Sequence, residues 1–301
     1  MFSYRHAFHA GNHADVLKHT ALVAVLRHMT QKAAALTVVD THAGAGLYRL
    51  DGDAARTSAE SDQGYLQLLA QFRGANSQQP DSAAPALRDY LDLVASFNPA
   101  GGHKIYPGSP FIASRLLRMD DRLKLFEAHP SDARLLVAHV QQLDAGRQVA
   151  VLRADGFEGW RQFLPPPSRR ALLLCDPSYE IKSDYARVAG LVDEALVRFV
   201  TGTYMVWYPI IARPEAHELP KRLKTLATRA RKPWLQASLT IKSAKLPAAW
   251  ANDQKRPGLP GSGVFVINPP HTLRAALEAA LPQLVACLGQ GGHGHYSVTG
   301  S

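Results

Sequence analysis

The sequence predicts an α/β fold built on a seven-stranded, mostly parallel sheet with an antiparallel edge pair. Three observations predict it. Four short apolar runs end at or just before an acid (Asp40, Glu127, Asp155 and Asp176), the first is followed by two close glycines (Gly44 and Gly46), and the last two strand-like runs are joined by a stretch without helical period. Acids at successive strand ends fit the crevice at the carboxyl edge of a doubly wound sheet.

The first segment, Tyr4 to His19, is dense in binding groups and poor in core formers. After it Val16, Leu17, Thr20, Leu22, Val23, Leu26 and Met29 recur near helical spacing, so a helix is expected from Ala14 or Asp15 to Met29. His9 and His13 are four apart, but Gly11-Asn12 between them reads as a turn, which argues against a shared metal. Lys18 and His19 are expected to face the junction that follows. There Thr37-Val38-Val39 is a β-branched and apolar strand, and it passes through Asp40-Thr41-His42-Ala43 into Gly44-Ala45-Gly46. Glycines at such a turn let the backbone come close to a ligand.

From Asp51 to Gly102 the composition shifts to Ala, Gln, Ser, Asp and Pro, with helical patches at Tyr65 to Phe72 and Leu87 to Phe97. This stretch reads as a helical insert, 51–102, within a main domain of 1–50 and 103–301. Tyr106-Pro107-Gly108-Ser109-Pro110 reads as a rigid turn into a helix from Phe111 to Met119, with Ser109 placed to cap it or to meet a ligand. Leu123 to Glu127 is the second strand, Ser131 to Gln142 a helix, Val149 to Leu152 the third strand, and Asp155-Gly156 follows it.

The fourth junction is the most informative. Ala171-Leu172-Leu173-Leu174-Cys175 is wholly apolar and runs into Asp176-Pro177-Ser178-Tyr179. An acid, a backbone-fixing proline and an aromatic ring in this order suit a flat base that carries an amine: the Asp176 carboxylate and the Pro177 carbonyl accept from the amine, and the Tyr179 ring stacks. Tyr204 to Pro209 is the fifth strand, Trp234 to Ile241 the sixth, and Gly263 to Ile267, with Asn268-Pro269-Pro270 after it, the seventh. A helix from Pro214 to Arg231 lies between the fifth and sixth, and Gly289 to Ser301 reads as a loosely ordered end.

Charge and composition bound the function. Of 301 residues 46% are hydrophobic and 20% charged, the balance of a soluble domain. The beginning of the chain is polar and no apolar run is long enough to span a bilayer, so the cytoplasm is expected. Cys175 and Cys287 lack metal or redox spacing and read as buried thiols. Eleven Lys and Arg between Arg213 and Arg256 face only three acids, nearly the whole formal excess of +9. A surface of that sign attracts phosphate backbones.

With strands and motifs in this order, the chain resembles the class I methyltransferases that use S-adenosylmethionine, which have a Rossmann-like fold. The pattern Tyr4-Arg5-His6-x-Phe8-His9-x-Gly11-Asn12-x-x-Asp15-Val16-x-Lys18-His19, followed by Asp40 to Gly46, narrows this to the RlmJ family of bacterial 23S ribosomal RNA adenine-N6 methyltransferases. The match continues through Tyr106 to Pro110, Glu127-x-His129-Pro130-Ser131-Asp132, Asp155-Gly156, Thr201 to Tyr204 and Ile267 to Pro270. The resemblance implies that His19, His42, Ser109, Glu127, Asp155, Gly156 and Asp176 contact S-adenosylmethionine and that Asp176 is the catalytic acceptor. It implies that Tyr4 meets the substrate, a specific adenine of 23S ribosomal RNA; Pro177 and Tyr179 are then expected to hold that adenine, and the basic stretch from Arg213 to Arg256, with Arg5 and Lys18, to track the RNA backbone. No metal is expected, and neither is a membrane or a stable partner chain. The family's tetrapeptide is usually Asp-Pro-Pro-Tyr, and here Ser178 stands third. Two other readings share the fold: a DNA adenine-N6 methyltransferase, and an RNA-binding protein that has lost the chemistry.

Overall fold

The computed structural model describes residues 4–73, 82–243 and 258–301. In chain order a 3-10 turn (His6–Phe8) leads to α1 (His13–Met29), β1 (Thr37–Asp40) and β2 (Leu47–Arg49), then α2 (Asp53–Ser58), α3 (Tyr65–Arg73) and α4 (Pro85–Ala95). Next come β3 (Ile105–Pro107), α5 (Ser109–Leu116), β4 (Arg122–Phe126), α6 (Pro130–Gln141), β5 (Val149–Leu152), α7 (Gly156–Gly159) and β6 (Ala171–Cys175). The chain closes with α8 (Ser183–Arg198), β7 (Thr203–Ile210), α9 (Pro214–Arg229), β8 (Trp234–Thr240), β9 (Gly261–Ile267), α10 (Leu273–Leu288) and β10 (His295–Gly300).

Eight strands form the main sheet in the order β10-β8-β9-β7-β6-β1-β4-β5. The five from β7 to β5 are parallel, and β9, β8 and β10 join in turn antiparallel. Strand alternation decides which side chains meet which helices. Val38, Leu123, Leu125, Leu172, Leu174 and Met205 pack on one face with residues of α1, α4, α5 and α10. Their neighbours Val39, Phe126, Leu173, Cys175, Tyr204 and Val206 pack on the other face with α8 and α9. A fully apolar β6 follows from this, because both its faces are covered.

The seven expected strands are all present, and the count is corrected to eight. The Gly- and His-rich tail supplies β10, which pairs with β8 along its length from His295↔Thr240 to Gly300↔Leu235. The sixth and seventh strands pair as expected, but β9 enters between β7 and β8, so the sheet's edge is β10. Tyr106-Pro107 is part of β3, paired with β2, and not a turn. Among the described residues no helix is long and apolar enough to cross a membrane.

The topology places the crevice. From β1 the chain moves to β4 and β5 on one side and then returns to β6 and β7 on the other, so the strand order reverses beside β1. The parallel registers set Asp40 opposite both Leu125 and Leu174, and Cys175 opposite Val206. The carboxyl ends of β1, β4, β6 and β7 therefore open on one space.

Candidate active site

That space is a cavity of about 620 Å³ lined by Glu127, Asp155 and Asp176 together with residues of the N-terminal segment. The local chemistry of each strand end fixes its carboxylate. Gly44, held at φ +63°, donates its N–H to Glu127 Oε2 at 2.8 Å, and the His129 N–H reaches Oε1 at 2.6 Å. Burial nevertheless raises the Glu127 pKa. Asp155 caps α7 through the Phe157 N–H at 2.9 Å and pairs with Arg187 at 2.5 Å. Asp40 is 2% exposed, and burial pushes it up to about 6 against hydrogen bonds from the Ser109 hydroxyl at 2.6 Å and the His42 N–H at 3.2 Å.

Over these strand ends lies a buried polar chain. Asn12 starts α1 by accepting from the Ala14 and Asp15 N–H groups, both at 3.0 Å. One turn of helix then brings Asp15 and Lys18 onto one face, 2.9 Å apart. Lys18 Nζ also meets Asp176 Oδ2 at 2.5 Å, Asp15 Oδ2 accepts from the Gly11 N–H and pairs with His6 Nε2, both at 3.0 Å, and His6 Nδ1 shares a hydrogen bond with the Tyr4 hydroxyl at 2.8 Å. Burial opposes the charge on Lys18, but Asp15 and Asp176 hold its pKa well above the usual value. Burial likewise opposes the Asp15 carboxylate, and His6 and Lys18 hold it well below. The chain runs unbroken from Asp176 to Tyr4.

The family model described as RsmJ, ribosomal RNA large subunit methyltransferase D, RlmJ, matches residues 33–300. The chain belongs to this family. It is 41% identical over 299 residues to ribosomal RNA large subunit methyltransferase J of Escherichia coli (strain K12), covering 99% of this chain and 98% of that protein. It is 36% identical, with the same coverage, to the protein of that name from Haemophilus influenzae (strain ATCC 51907 / DSM 11121 / KW20 / Rd). A crystal structure of a Legionella pneumophila protein superposes with a TM-score of 0.80 at 28% identity, covering 97% of this chain and 98% of that one.

In this RlmJ-family chain the cavity gathers nearly all of the residues expected from sequence. Tyr4, Lys18, His19, His42, Ser109, Glu127, Asp155, Asp176, Pro177 and Tyr179 all line it. Gly156 does not line it; the residue packs so tightly on the Thr41 carbonyl that a Cβ would collide there. Ser109 is the first residue of α5 rather than its cap, and its hydroxyl is spent on Asp40. His19 is fully buried, bonded to the Tyr106 hydroxyl at 2.8 Å, and burial drops it to about 3. Lys18, expected on an RNA backbone track, is instead 5% exposed and points its charge at Asp176.

Tyr179 adopts φ +55°, a conformation costly for a bulky residue and kept where the surroundings over-determine it. Its hydroxyl donates to the Trp207 carbonyl at 2.6 Å, and Arg213 donates to the Tyr179 carbonyl at 3.3 Å. Ser178, between the buried Pro177 and Tyr179, is exposed. The turn is thus fastened at Tyr179, and the substituted position faces outward.

Sequence reasoning missed the joining residues Asp15 and His6, and also Arg187, Arg213 and Trp207. The three-residue spacing of Asp15 and Lys18 was a readable signal for the first. His6 stood in the N-terminal motif and Arg213 in the basic stretch without an individual role assigned to either, and nothing in the sequence pointed to Arg187 or Trp207. His9, the other half of the doubted metal pair, is bonded to Glu60 at 3.0 Å.

Proposed function

We propose that the protein transfers a methyl group from S-adenosylmethionine to N6 of an adenine in 23S ribosomal RNA. The observation that carries the reading is the Asp176-Pro177-Ser178-Tyr179 turn opening on the same cavity as Glu127 and Asp155. The donor set fits the cofactor. Glu127, just past the end of β4, would accept from ribose hydroxyls and Asp155 from an adenine amine, and the His42 and Phe157 rings, in edge contact with centroids 4.7 Å apart, would form one wall beside the base. Burial drops His42 to about 4, so this wall is neutral at physiological pH. When bound, S-adenosylmethionine supplies an electrophilic sulfonium methyl.

The protein's part is positioning and proton handling. An adenine amine has its lone pair delocalised into the ring and is too weak an acid for prior deprotonation by a carboxylate. Asp176 and the Pro177 carbonyl accept its two hydrogens, which turns the lone pair toward the methyl donor. After transfer the nitrogen is strongly acidic, and Asp176 takes the proton. Lys18 holds one oxygen of Asp176 throughout, which fixes the direction of the other. Target adenine reaches the turn only when unstacked, and exposed cations such as Arg5, Lys221 and Arg222 attract the RNA backbone.

The test incubates the protein with labelled S-adenosylmethionine and unmodified 23S ribosomal RNA, with duplex DNA in parallel, and digests to nucleosides. Label in N6-methyladenosine from RNA is expected. Label from DNA alone, or cofactor binding with no transfer, would overturn the reading.

A further inference from the structure

Arg213 lines the cavity and is unused by the mechanism above. Three Lys or Arg side chains line that space, Lys18, Arg187 and Arg213. Lys18 is paired with Asp15 and Asp176, and Arg187 with Asp155. Arg213 has no carboxylate partner among the described residues, and its guanidinium donates instead to the Tyr179 carbonyl at 3.3 Å. Glu215, the acid nearest to it in sequence, turns to Lys182 at 3.8 Å. A guanidinium carries several N–H donors in a fixed fork, so one bond to a neutral carbonyl leaves donors and the whole charge for a ligand.

The surroundings say which ligand. Pro209 and Ile211, on either side of the end of β7, line the cavity with Ile181 and Leu259, so no other charge shares this part of the wall. RNA offers one kind of anion, the phosphodiester. A flipped nucleotide turns about its own two flanking phosphates, which must come to the site with the base. Cations on the exposed face of α9 attract the backbone at large but have no link to the turn that holds the base. Arg213 has that link, because it is bonded to Tyr179 itself. A phosphate contact at this place fixes the position of the nucleotide whose base lies in the turn.

We propose that Arg213 binds a phosphate flanking the target adenosine and so registers the flipped nucleotide on the Asp176-to-Tyr179 turn. This rests on the adenine-N6 reading above. The experiment uses matched RNAs in which the phosphate 5′ or 3′ of the target adenosine is charged or is an uncharged methylphosphonate, the neighbouring 2′-hydroxyl being removed in both. It measures kcat/KM for the wild type, Arg213→Lys and Arg213→Met. The wild type is expected to lose on the order of ten- to a hundred-fold on one of the two methylphosphonates, and Arg213→Met the same on charged RNA. The two changes together should cost no more than either alone, with affinity for S-adenosylmethionine unchanged within a few-fold. Arg213→Lys should retain part of the activity, because it keeps the charge and loses the fork. A wild type indifferent to both methylphosphonates would overturn the proposal, and so would losses that multiply. Multiplying losses are what Arg213 would give if it served only to hold Tyr179, and the methylphosphonate arm needs no variant at all. Failure of the wild type to methylate charged RNA would sink the adenine reading and this inference with it; equal methylation of charged and methylphosphonate RNA sinks the inference alone.

Discussion

The carboxylate of Asp176 has Oδ2 committed to Lys18 at 2.5 Å, while Oδ1 has no protein partner among the described residues. One oxygen is thus held and the other is free of protein contacts among the described residues, as the proposed acceptor role requires. Replacing Asp176 with Ala is expected to abolish turnover while leaving cofactor affinity, measured by calorimetry, within a few-fold; retained turnover would remove Asp176 from the mechanism. Gly156 makes a different kind of single-residue demand. A methyl there would collide with the Thr41 carbonyl and carbon, so Gly156→Ala must push α7 away from the end of β1. It is expected to destabilise the fold by roughly 1–3 kcal/mol in chemical denaturation and to weaken cofactor binding as well. Unchanged stability would mean that the contact is softer than its geometry. Both residues were readable in the sequence as an acid and a glycine past strand ends. Their constraints were not, because they come from Lys18 and Thr41, more than a hundred positions away.

Helix α1 is the element on which the site hangs, and its burial has a titration consequence. Residues from His13 to Leu26 are almost all buried, His13 and His19 among them. Burial drops His13 to about 4 and His19 to about 3, against 6.5 for a free imidazole. The unfolded chain therefore takes up protons below about pH 6.5 that the folded chain refuses. Their contribution is complete above pH 6.5 and is lost as pH falls toward 4, at up to about 1.4 kcal/mol per pH unit for each group. The melting temperature is expected to fall steadily from pH 7 to pH 5, and His13→Gln should flatten that slope; an unchanged slope would place the acid sensitivity elsewhere. Asp15 acts in the same sense but lower down. Its depressed pKa contributes stability in full above the unfolded value of about 4, and this is lost only as pH falls below it. Periodicity predicted α1 to within one or two residues at its start, where the Gly11-Asn12 turn breaks the chain and Asn12 caps the helix. Helical period could not show that its polar residues face inward.

Across the whole molecule, charge is divided between a buried network and an exposed surface. Lys18 belongs to the first, while Lys221, Arg222 and Lys224 stand exposed on α9. Lys245, Lys255 and Arg256, also counted in the basic stretch, lie outside the described residues. If the α9 cations track RNA phosphates, replacing all three with Gln should weaken RNA binding, reduce its dependence on salt, and leave cofactor affinity alone. Equal salt slopes for the two proteins, measured by filter binding, would move the RNA track off this helix.

The sequence by itself determined the parallel strands, their order along the chain and the acids at their ends, because burial on both faces demands continuous apolar runs and these are local. It also carried the family, because the N-terminal motif and the strand-end motifs are contiguous stretches. Tertiary structure alone decided the rest. The tail became β10 because β8 had an open edge to pair, which no composition of Gly and His announces. Asp15, Lys18 and Asp176 joined because the first turns of α1 meet the carboxyl end of β6. Such contacts join distant parts of the chain, and only packing sets their distances.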